Sequence, residues 1–110
     1  MLREQHCKPI RRGSSPLDPG SCRHLLSQLD SGWNLADDQV LTREFSFGNF
    51  HETMAFVNAV AWIAHREDHH PDLRVSYNRC RVSYTTHAAN GLTENDFICA
   101  AHIDQLLQAD

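Results

Sequence analysis

Residues 65–96 read HREDHHPDLRVSYNRCRVSYTTHAANGLTEND and contain four of the eight histidines of the chain. A helical pattern ends in this stretch at His69-His70-Pro71, because proline does not fit inside a helix and the residue before it avoids helical angles. Two alternating segments follow and end at His87, so imidazoles from separate elements are expected to meet at one rim. Imidazole gives and takes protons near neutral pH, which makes acid–base chemistry on a small molecule the first hypothesis.

Two β-strands are predicted within this stretch, at residues 73–77 and 81–87, joined by a short turn as an antiparallel hairpin. Apolar side chains occupy alternate positions in both segments, which is typical of strands with one buried face. After a loop, Thr93 begins a helix that runs to about residue 107, and Asp96 stands three residues later as in a capping box.

The residues before this stretch add a helix at 21–29, a short strand at 33–35 and a strand at 40–47. Asn49 then caps the longest helical pattern, which runs to about residue 68. The order helix, strand, strand, helix, strand, strand, helix predicts an α+β fold, with an antiparallel sheet and helices on one face.

Residues 1–20 are polar and rich in proline and glycine, so we predict a flexible N-terminal arm there and one domain over residues 21–110. The net charge of -4 argues against a nucleic-acid partner. No apolar run reaches membrane-spanning length, and no secretion signal stands at the N-terminus. The four cysteines are scattered, so a cytoplasmic protein with free thiols is expected.

His65 and His69 lie four residues apart on one helix face, a spacing that can hold a metal ion. The zinc-protease motifs need glutamate directly after the first or directly before the second histidine, but Arg66 and Asp68 stand there. We therefore predict no metal. A structural alternative is that histidines at a helix C-terminus interact with the negative end of the helix dipole.

The chain resembles the pterin-4a-carbinolamine dehydratase family over about residues 21–108. The resemblance is carried by His69-His70-Pro71, Tyr77, Thr86-His87, Gly91-Leu92-Thr93 and Asp96, and further upstream by Gly32-Trp33, Phe45-x-Phe47, Asn49-Phe50 and Phe56.

The resemblance implies a four-stranded antiparallel sheet and assembly into a homodimer or homotetramer. It implies dehydration of 4a-hydroxytetrahydropterin, the product left by aromatic amino acid hydroxylases, to quinonoid dihydropterin. No metal or organic cofactor is implied. Loss of water needs one proton given to the departing hydroxyl and one removed from a ring nitrogen, and histidines suffice for both.

The predicted site follows from the same resemblance. The catalytic residues are His69 as general acid, His87 as general base and His70, which would orient the pterin. Substrate-binding or supporting roles are predicted for five further residues: His65, Asp68, Pro71, Thr86 and Asp96.

The sequence departs from the animal members at Leu73, where they have an aromatic residue, and at Asn95, where they have an arginine. Animal members also bind a homeodomain transcription factor, and nothing in this sequence indicates that partner. Two alternatives stay open: a non-catalytic pterin-binding or dimerisation module, and a dehydratase-like protein of molybdopterin metabolism.

Overall fold

A four-stranded antiparallel sheet is the centre of the computed structural model, which describes residues 1–108. The strands are β1 (Asn34–Ala36), β2 (Val40–Ser46), β3 (Asp72–Val75) and β4 (Arg79–Tyr84), in the spatial order β1-β2-β4-β3. The helices are α1 (Pro19–Leu26), α2 (Phe50–Glu67) and α3 (Glu94–Leu106), and short 3₁₀ turns lie at Leu2–Glu4 and His87–Ala89. The predicted α+β class and element order are confirmed.

Alternation along the two central strands gives the sheet one apolar and one polar face. Leu41 of β2 pairs with Tyr84 of β4, and Phe45 pairs with Cys80, and all four side chains are buried. Helices α2 and α3 contribute their buried residues to the same core. The prediction of helices on one face of the sheet is therefore confirmed.

Helix α2 begins where the sequence predicts, because the Asn49 side chain accepts a hydrogen bond from the Glu52 amide at 2.9 Å. Its apolar stripe is narrower than the sequence pattern suggests. Phe50 and Trp62, which the spacing assigns to that stripe or beside it, are 49% and 61% exposed in the single chain. The other tryptophan of the chain, Trp33, is buried.

The β3–β4 hairpin forms with a shorter first strand than predicted. Strand β3 ends at Val75, and Tyr77 lies outside it with 63% of its surface exposed. The Tyr77 carbonyl accepts a hydrogen bond from the Thr53 hydroxyl of α2 at 2.9 Å. Because helix α2 binds that carbonyl, it does not take part in the hydrogen bonds between β3 and β4, and residues 76–78 form the turn.

The first twenty residues lie against the domain that follows them. Leu2 is buried, and the Leu17 amide donates to the Leu92 carbonyl at 2.8 Å. Helix α1 starts two residues earlier than predicted, since Asp18 caps it by accepting from the Ser21 amide at 2.7 Å. The flexibility of residues 1–20 stays a prediction. The predicted domain also includes residues 109–110, which lie outside the described residues. Within residues 1–108, the helices are all too short or too polar to cross a bilayer.

Candidate active site

The paired histidines follow the C-terminal end of α2. Asp68 takes left-handed angles (φ 51°, ψ 43°), which turns the chain out of the helix. The amides of Asp68 and His69 donate to the carbonyls of His65 and Ala64, respectively. These two bonds form a Schellman motif, a common helix ending in which the left-handed position usually holds glycine. The motif carries His69 and His70 away from the helix axis, as the sequence predicts from Pro71.

His69 is held by a buried carboxylate on α3. Its Nε2 lies 2.6 Å from Asp96 Oδ1, and Asp96 is fully buried. The other carboxylate oxygen accepts from the Thr86 hydroxyl at 2.8 Å and from the Thr93 amide at 2.9 Å. The Thr93 contact confirms the predicted capping-box role of Asp96. An ionised carboxylate only accepts hydrogen bonds, so Nε2 carries a proton and Nδ1 is left for another partner.

The imidazole of His69 also rests on the sheet. Its ring stacks on the Tyr84 ring of β4, with centroids 5.6 Å apart and planes inclined by 8°. Tyr84 is fully buried, and burial, followed by the neighbouring Cys99, raises the pKa of its hydroxyl. The stacking on Tyr84 fixes the plane of the His69 ring, and the contact with Asp96 fixes its rotation within that plane. Together they hold the imidazole in one orientation.

A cleft of about 610 Å³ opens beside His69. The structure brings five of the predicted site residues to its walls: Asp68, His69, His70, Thr86 and His87. Asp96 lies beneath the cleft and reaches it through His69. His65 and Pro71 do not line the cleft; the exposed His65 ring contacts Trp62 instead, at a centroid distance of 6.0 Å. His87 arrives where β4 has ended, in the 3₁₀ turn after Thr86.

One wall of the cleft comes from the chain's N-terminus, which sequence reasoning did not include. Residues 5–10, here called the N-terminal strap, run past the start of α3 and the end of α2. Asn95 of α3 binds the strap twice: it accepts from the Lys8 amide at 3.0 Å and donates to the Lys8 carbonyl at 2.6 Å. The Gln5 carbonyl contacts His102 at 2.7 Å. The strap residues that line the cleft are Cys7, Lys8, Pro9 and Ile10.

Glu67, the last residue of α2, holds the strap from the other side. Its carboxylate accepts from the Cys7 amide at 2.7 Å and from Arg66 Nε at 3.1 Å, and it lies 2.8 Å from His6 Nδ1. Burial alone raises the pKa of Glu67, but the hydrogen bonds from Cys7, His6 and Arg66 outweigh it and lower the pKa to about 2. Glu67 is therefore ionised at neutral pH and is stabilised in that form by the folded strap.

Replacing Glu67 by glutamine is expected to lower the free energy of unfolding by about 1–3 kcal/mol at pH 7. The pKa of Glu67 in the folded protein lies below its ordinary value of 4.5, so the ionised carboxylate stabilises the fold above pH 4.5 and loses that effect as the pH falls toward 2. Urea unfolding of both proteins from pH 7 to pH 3 measures the difference, which should shrink with falling pH. Glu94→Gln, at an exposed acid, serves as the control. A difference that stays constant over this range would contradict the assignment.

His6, Glu67 and His102 form the one group of possible metal ligands within residues 1–108, with ligand atoms all within 4.8 Å of one another. Arg66 donates to Glu67 and lies 3.2 Å from His102 Nδ1. The guanidinium thus already supplies positive charge to this cluster, and a divalent cation there would meet electrostatic repulsion. The cluster fits an ion-pair network better than a metal site, and it includes neither His65 nor His69.

The arrangement can move protons. His69 lines a cleft that two further imidazoles, His70 and His87, also line, and its Nδ1 is the nitrogen that Asp96 does not bind. His87 is exposed while His69 is held by Asp96, so the two rings differ in environment. Two differently held imidazoles around one small cavity suit a reaction in which one group gives a proton and another takes one.

Comparison with known proteins gives consistent matches along nearly the whole chain. The family described as "Pterin 4 alpha carbinolamine dehydratase" matches residues 15–106. A Nitrosomonas eutropha protein provisionally named pterin-4-alpha-carbinolamine dehydratase is 58% identical over 106 residues, covering 96% of this chain and 93% of that protein. A Legionella pneumophila protein with the same provisional name is 54% identical over 107 residues, covering 96% and 95%.

Solved structures share the fold. A transcriptional coactivator/pterin dehydratase from Brucella melitensis superposes with a TM-score of 0.80 at 33% identity, covering 86% of this chain and all of that one. A pterin dehydratase-like protein that is a RuBisCO assembly factor in the alpha-carboxysome gives a TM-score of 0.62 at 20% identity, covering 74% and 95%. At that identity the second likeness concerns the fold alone.

Proposed function

Because the chain belongs to the pterin 4 alpha carbinolamine dehydratase family, we propose that it dehydrates 4a-hydroxytetrahydropterin to quinonoid dihydropterin and water. This reaction recycles the pterin cofactor of aromatic amino acid hydroxylases. The observation that carries the proposal is the cleft with three imidazoles, one of which is fixed by a fully buried carboxylate. The proposal assigns no metal and no organic cofactor.

In the proposed mechanism, His69 is the general acid. A protonated His69 gives the Nδ1 proton to the 4a-hydroxyl, the carbon–oxygen bond breaks, and its electron pair leaves with the water. Asp96 balances the positive charge of the imidazolium from the opposite ring nitrogen, as a buried carboxylate does beside a catalytic histidine. His87 takes the proton of the ring nitrogen, whose electron pair forms the new carbon–nitrogen double bond.

The remaining cleft residues are assigned to substrate binding. His70 orients the pterin, and Asp68 offers a carboxylate at the cleft wall to the amino and ring N–H donors of the substrate. Thr86 supports the site through Asp96, to which its hydroxyl donates. His65 and Pro71 stand outside the lining, so any part they take in binding is indirect; Pro71 acts by ending α2 ahead of the site.

A turnover assay on chemically generated 4a-hydroxytetrahydropterin tests the proposal. We expect the purified chain to accelerate water loss far above the spontaneous rate, and to keep its full rate after treatment with a strong chelator. If the chain binds pterin but does not accelerate water loss, it is a non-catalytic binding module and the proposed activity is wrong. Acceleration lost on chelation and restored by zinc would overturn the metal-free mechanism.

We also propose that the chain forms a homodimer or homotetramer in the cytoplasm. The predicted strand at residues 40–47 forms β2, which is central and paired on both sides. The edges are instead β1 and β3, which have three and four residues. Support comes from large apolar side chains that are exposed in the single chain: Trp62 on α2, Leu106 at the end of α3, and Leu107 directly after it.

Light scattering at micromolar concentration is expected to give the mass of two or four chains, compared with 12.5 kDa for one. Burial of the exposed tryptophan on association is the physical reason, since large aromatic side chains dominate interface energies. Trp62→Glu should shift the mass toward one chain, whereas Phe50→Glu, at an exposed aromatic residue at the other end of α2, serves as the matched control. A wild-type mass of one chain would contradict the proposal.

A further inference from the structure

Two thiols from opposite ends of the chain meet beside the cleft. Cys7 Sγ of the N-terminal strap and Cys99 Sγ of α3 are 3.4 Å apart, although 92 positions separate them in sequence. All four cysteines are free thiols. Cys99 is completely buried, whereas Cys7 is half-buried and lines the cleft. The only part of the pair that faces the open cavity is therefore Cys7.

The surrounding contacts keep the two sulfurs together. The Cys7 amide donates to Glu67 at 2.7 Å, and the next residue, Lys8, is bound through both its amide and its carbonyl by Asn95. Asn95 lies one helical turn before Cys99 on α3, so the strap and the helix are tied at the level of the thiols. A disulfide needs sulfurs about 2.05 Å apart, which is a shift of under about 1.5 Å shared between two side chains.

We propose that Cys7 and Cys99 are an oxidative modification site, at which a hydroperoxide converts the two thiols into one intramolecular disulfide. In the first step the Cys7 thiolate attacks the peroxide, its sulfur becomes a sulfenic acid, and hydroxide leaves. In the second step the Cys99 sulfur attacks the Cys7 sulfur, the sulfur–oxygen bond breaks, and the oxygen leaves as water with the Cys99 proton. Two thiols are oxidised by two electrons, and one hydrogen peroxide is reduced to two waters.

The order of the two steps follows from the surroundings of each sulfur. The hydrogen bond to Cys7, together with burial, raises the pKa of the Cys99 thiol, so Cys99 keeps its proton until its neighbour has been activated. Cys7 is the sulfur that a small oxidant entering the cleft can reach. Cys7 therefore has the role of the cysteine that is oxidised first in redox-sensitive proteins, and Cys99 has the role of the resolving cysteine.

The disulfide changes the cleft wall and the stability of the fold. It fixes the strap covalently to α3, the helix that also carries Asp96, and so removes any opening of the cleft on that side. It also closes a loop of about 92 residues, which reduces the conformational freedom of the unfolded chain. We therefore expect the oxidised protein to melt at a temperature several degrees higher than the reduced one.

The test treats the native full-length chain with a small excess of hydrogen peroxide, quenches in acid and alkylates the remaining thiols in denaturant. We expect two of the four thiols to become unreactive, peptide mapping to join Cys7 to Cys99 within one chain, and dithiothreitol to restore all four. Sulfinic or sulfonic acid on Cys7 without the cross-link, or a disulfide between two chains, would overturn the proposal.

Cysteine variants give a second test of the proposed disulfide. Cys7→Ser, at a half-buried position, should lose both the cross-link and the rise in melting temperature on oxidation, and Cys99→Ala should do the same. Cys80→Ala, at an equally buried thiol on β4, is the matched control and should keep both. A cross-link that survives in Cys7→Ser would exclude the pair. Because wild-type peptide mapping identifies the bond directly, the assignment does not depend on the folding of any variant.

Discussion

Replacing His69 by alanine is expected to lower kcat for pterin dehydration by about 10²–10⁴, the usual effect of removing a general acid. Its Nε2 is held by Asp96 at 2.6 Å and its ring is stacked on Tyr84, so no other side chain can present a proton from the same place. His87→Ala should fall in the same range, because the proposed base is removed. Steady-state kinetics on the generated carbinolamine, with the spontaneous rate subtracted, measures both.

Two controls make this result interpretable. His51→Ala removes an exposed histidine at the start of α2 that does not line the cleft, and it should keep the wild-type rate. His69→Ala leaves the Asp96 carboxylate without one partner, so His69→Asn, which can still donate to Asp96, checks whether a lost rate reflects a lost fold. His87 is exposed, so its removal should not disturb the core. Near-wild-type rates in both His69→Ala and His87→Ala would exclude acid–base catalysis by this cluster.

The parts of the fold that the sequence predicts are those decided by local interactions. Asn49 caps α2 and Pro71 follows its end, and both effects act over a few residues. Asp96 is a carboxylate three residues after Thr93, and this spacing alone predicts its contact with the Thr93 amide. The sequence also predicts that His69 and His87 meet at one cleft, because His69 lies just after α2 and His87 lies just after β4.

The sequence does not predict the N-terminal strap, because the strap is held by contacts between residues far apart in the chain. Its backbone groups are bound by side chains of Glu67, Asn95 and His102, which lie 60 to 97 positions further along the chain. No periodicity within residues 1–20 signals such contacts, and prolines and glycines there favour the interpretation as an arm. The one available signal is Asn95, which stands beside Asp96 where the animal members have an arginine, and its side chain binds the Lys8 backbone.

Strand order and helix exposure are also decided by tertiary packing. Strand β2 has the same alternating pattern whether it lies at an edge or in the centre, so the sequence could not place it between β1 and β4. The spacing of apolar residues places Trp62 beside the apolar stripe of α2, but its side chain is 61% exposed in the single chain. A large exposed side chain at such a position is what an unsatisfied interface would present, which links this discrepancy to the proposed self-association.

Replacing Asp96 by asparagine is expected to lower kcat by about 10²–10⁴ and the free energy of unfolding by about 1–3 kcal/mol. Three donors converge on the two carboxylate oxygens: His69 Nε2, the Thr86 hydroxyl and the Thr93 amide. Asparagine supplies only one oxygen, and its amide group donates, so in this fully buried site at least one of the three donors loses its acceptor or, in the case of His69, has to carry its proton on Nδ1 instead of Nε2. If that donor is His69, the imidazole loses both its orientation and the charge that balances its protonated form.

A purely structural role for Asp96 would lower stability and leave the chemistry of the folded enzyme unchanged, so the two effects must be measured separately. Asp96 is a positioning residue, and its substitution should reduce kcat much more than it raises KM, and should change the pH profile of kcat, which reports the ionisation of the enzyme–substrate complex. Glu94→Gln, an exposed acid in the same helical turn, controls for loss of charge at the N-terminus of α3. Thr86→Val removes one donor while keeping the carboxylate, and should cost stability with a smaller loss of kcat. A fully folded Asp96→Asn enzyme with the wild-type kcat and pH profile would show that catalysis does not depend on the contact between Asp96 and His69, and the proposed acid would then have to be sought at His70 or His87.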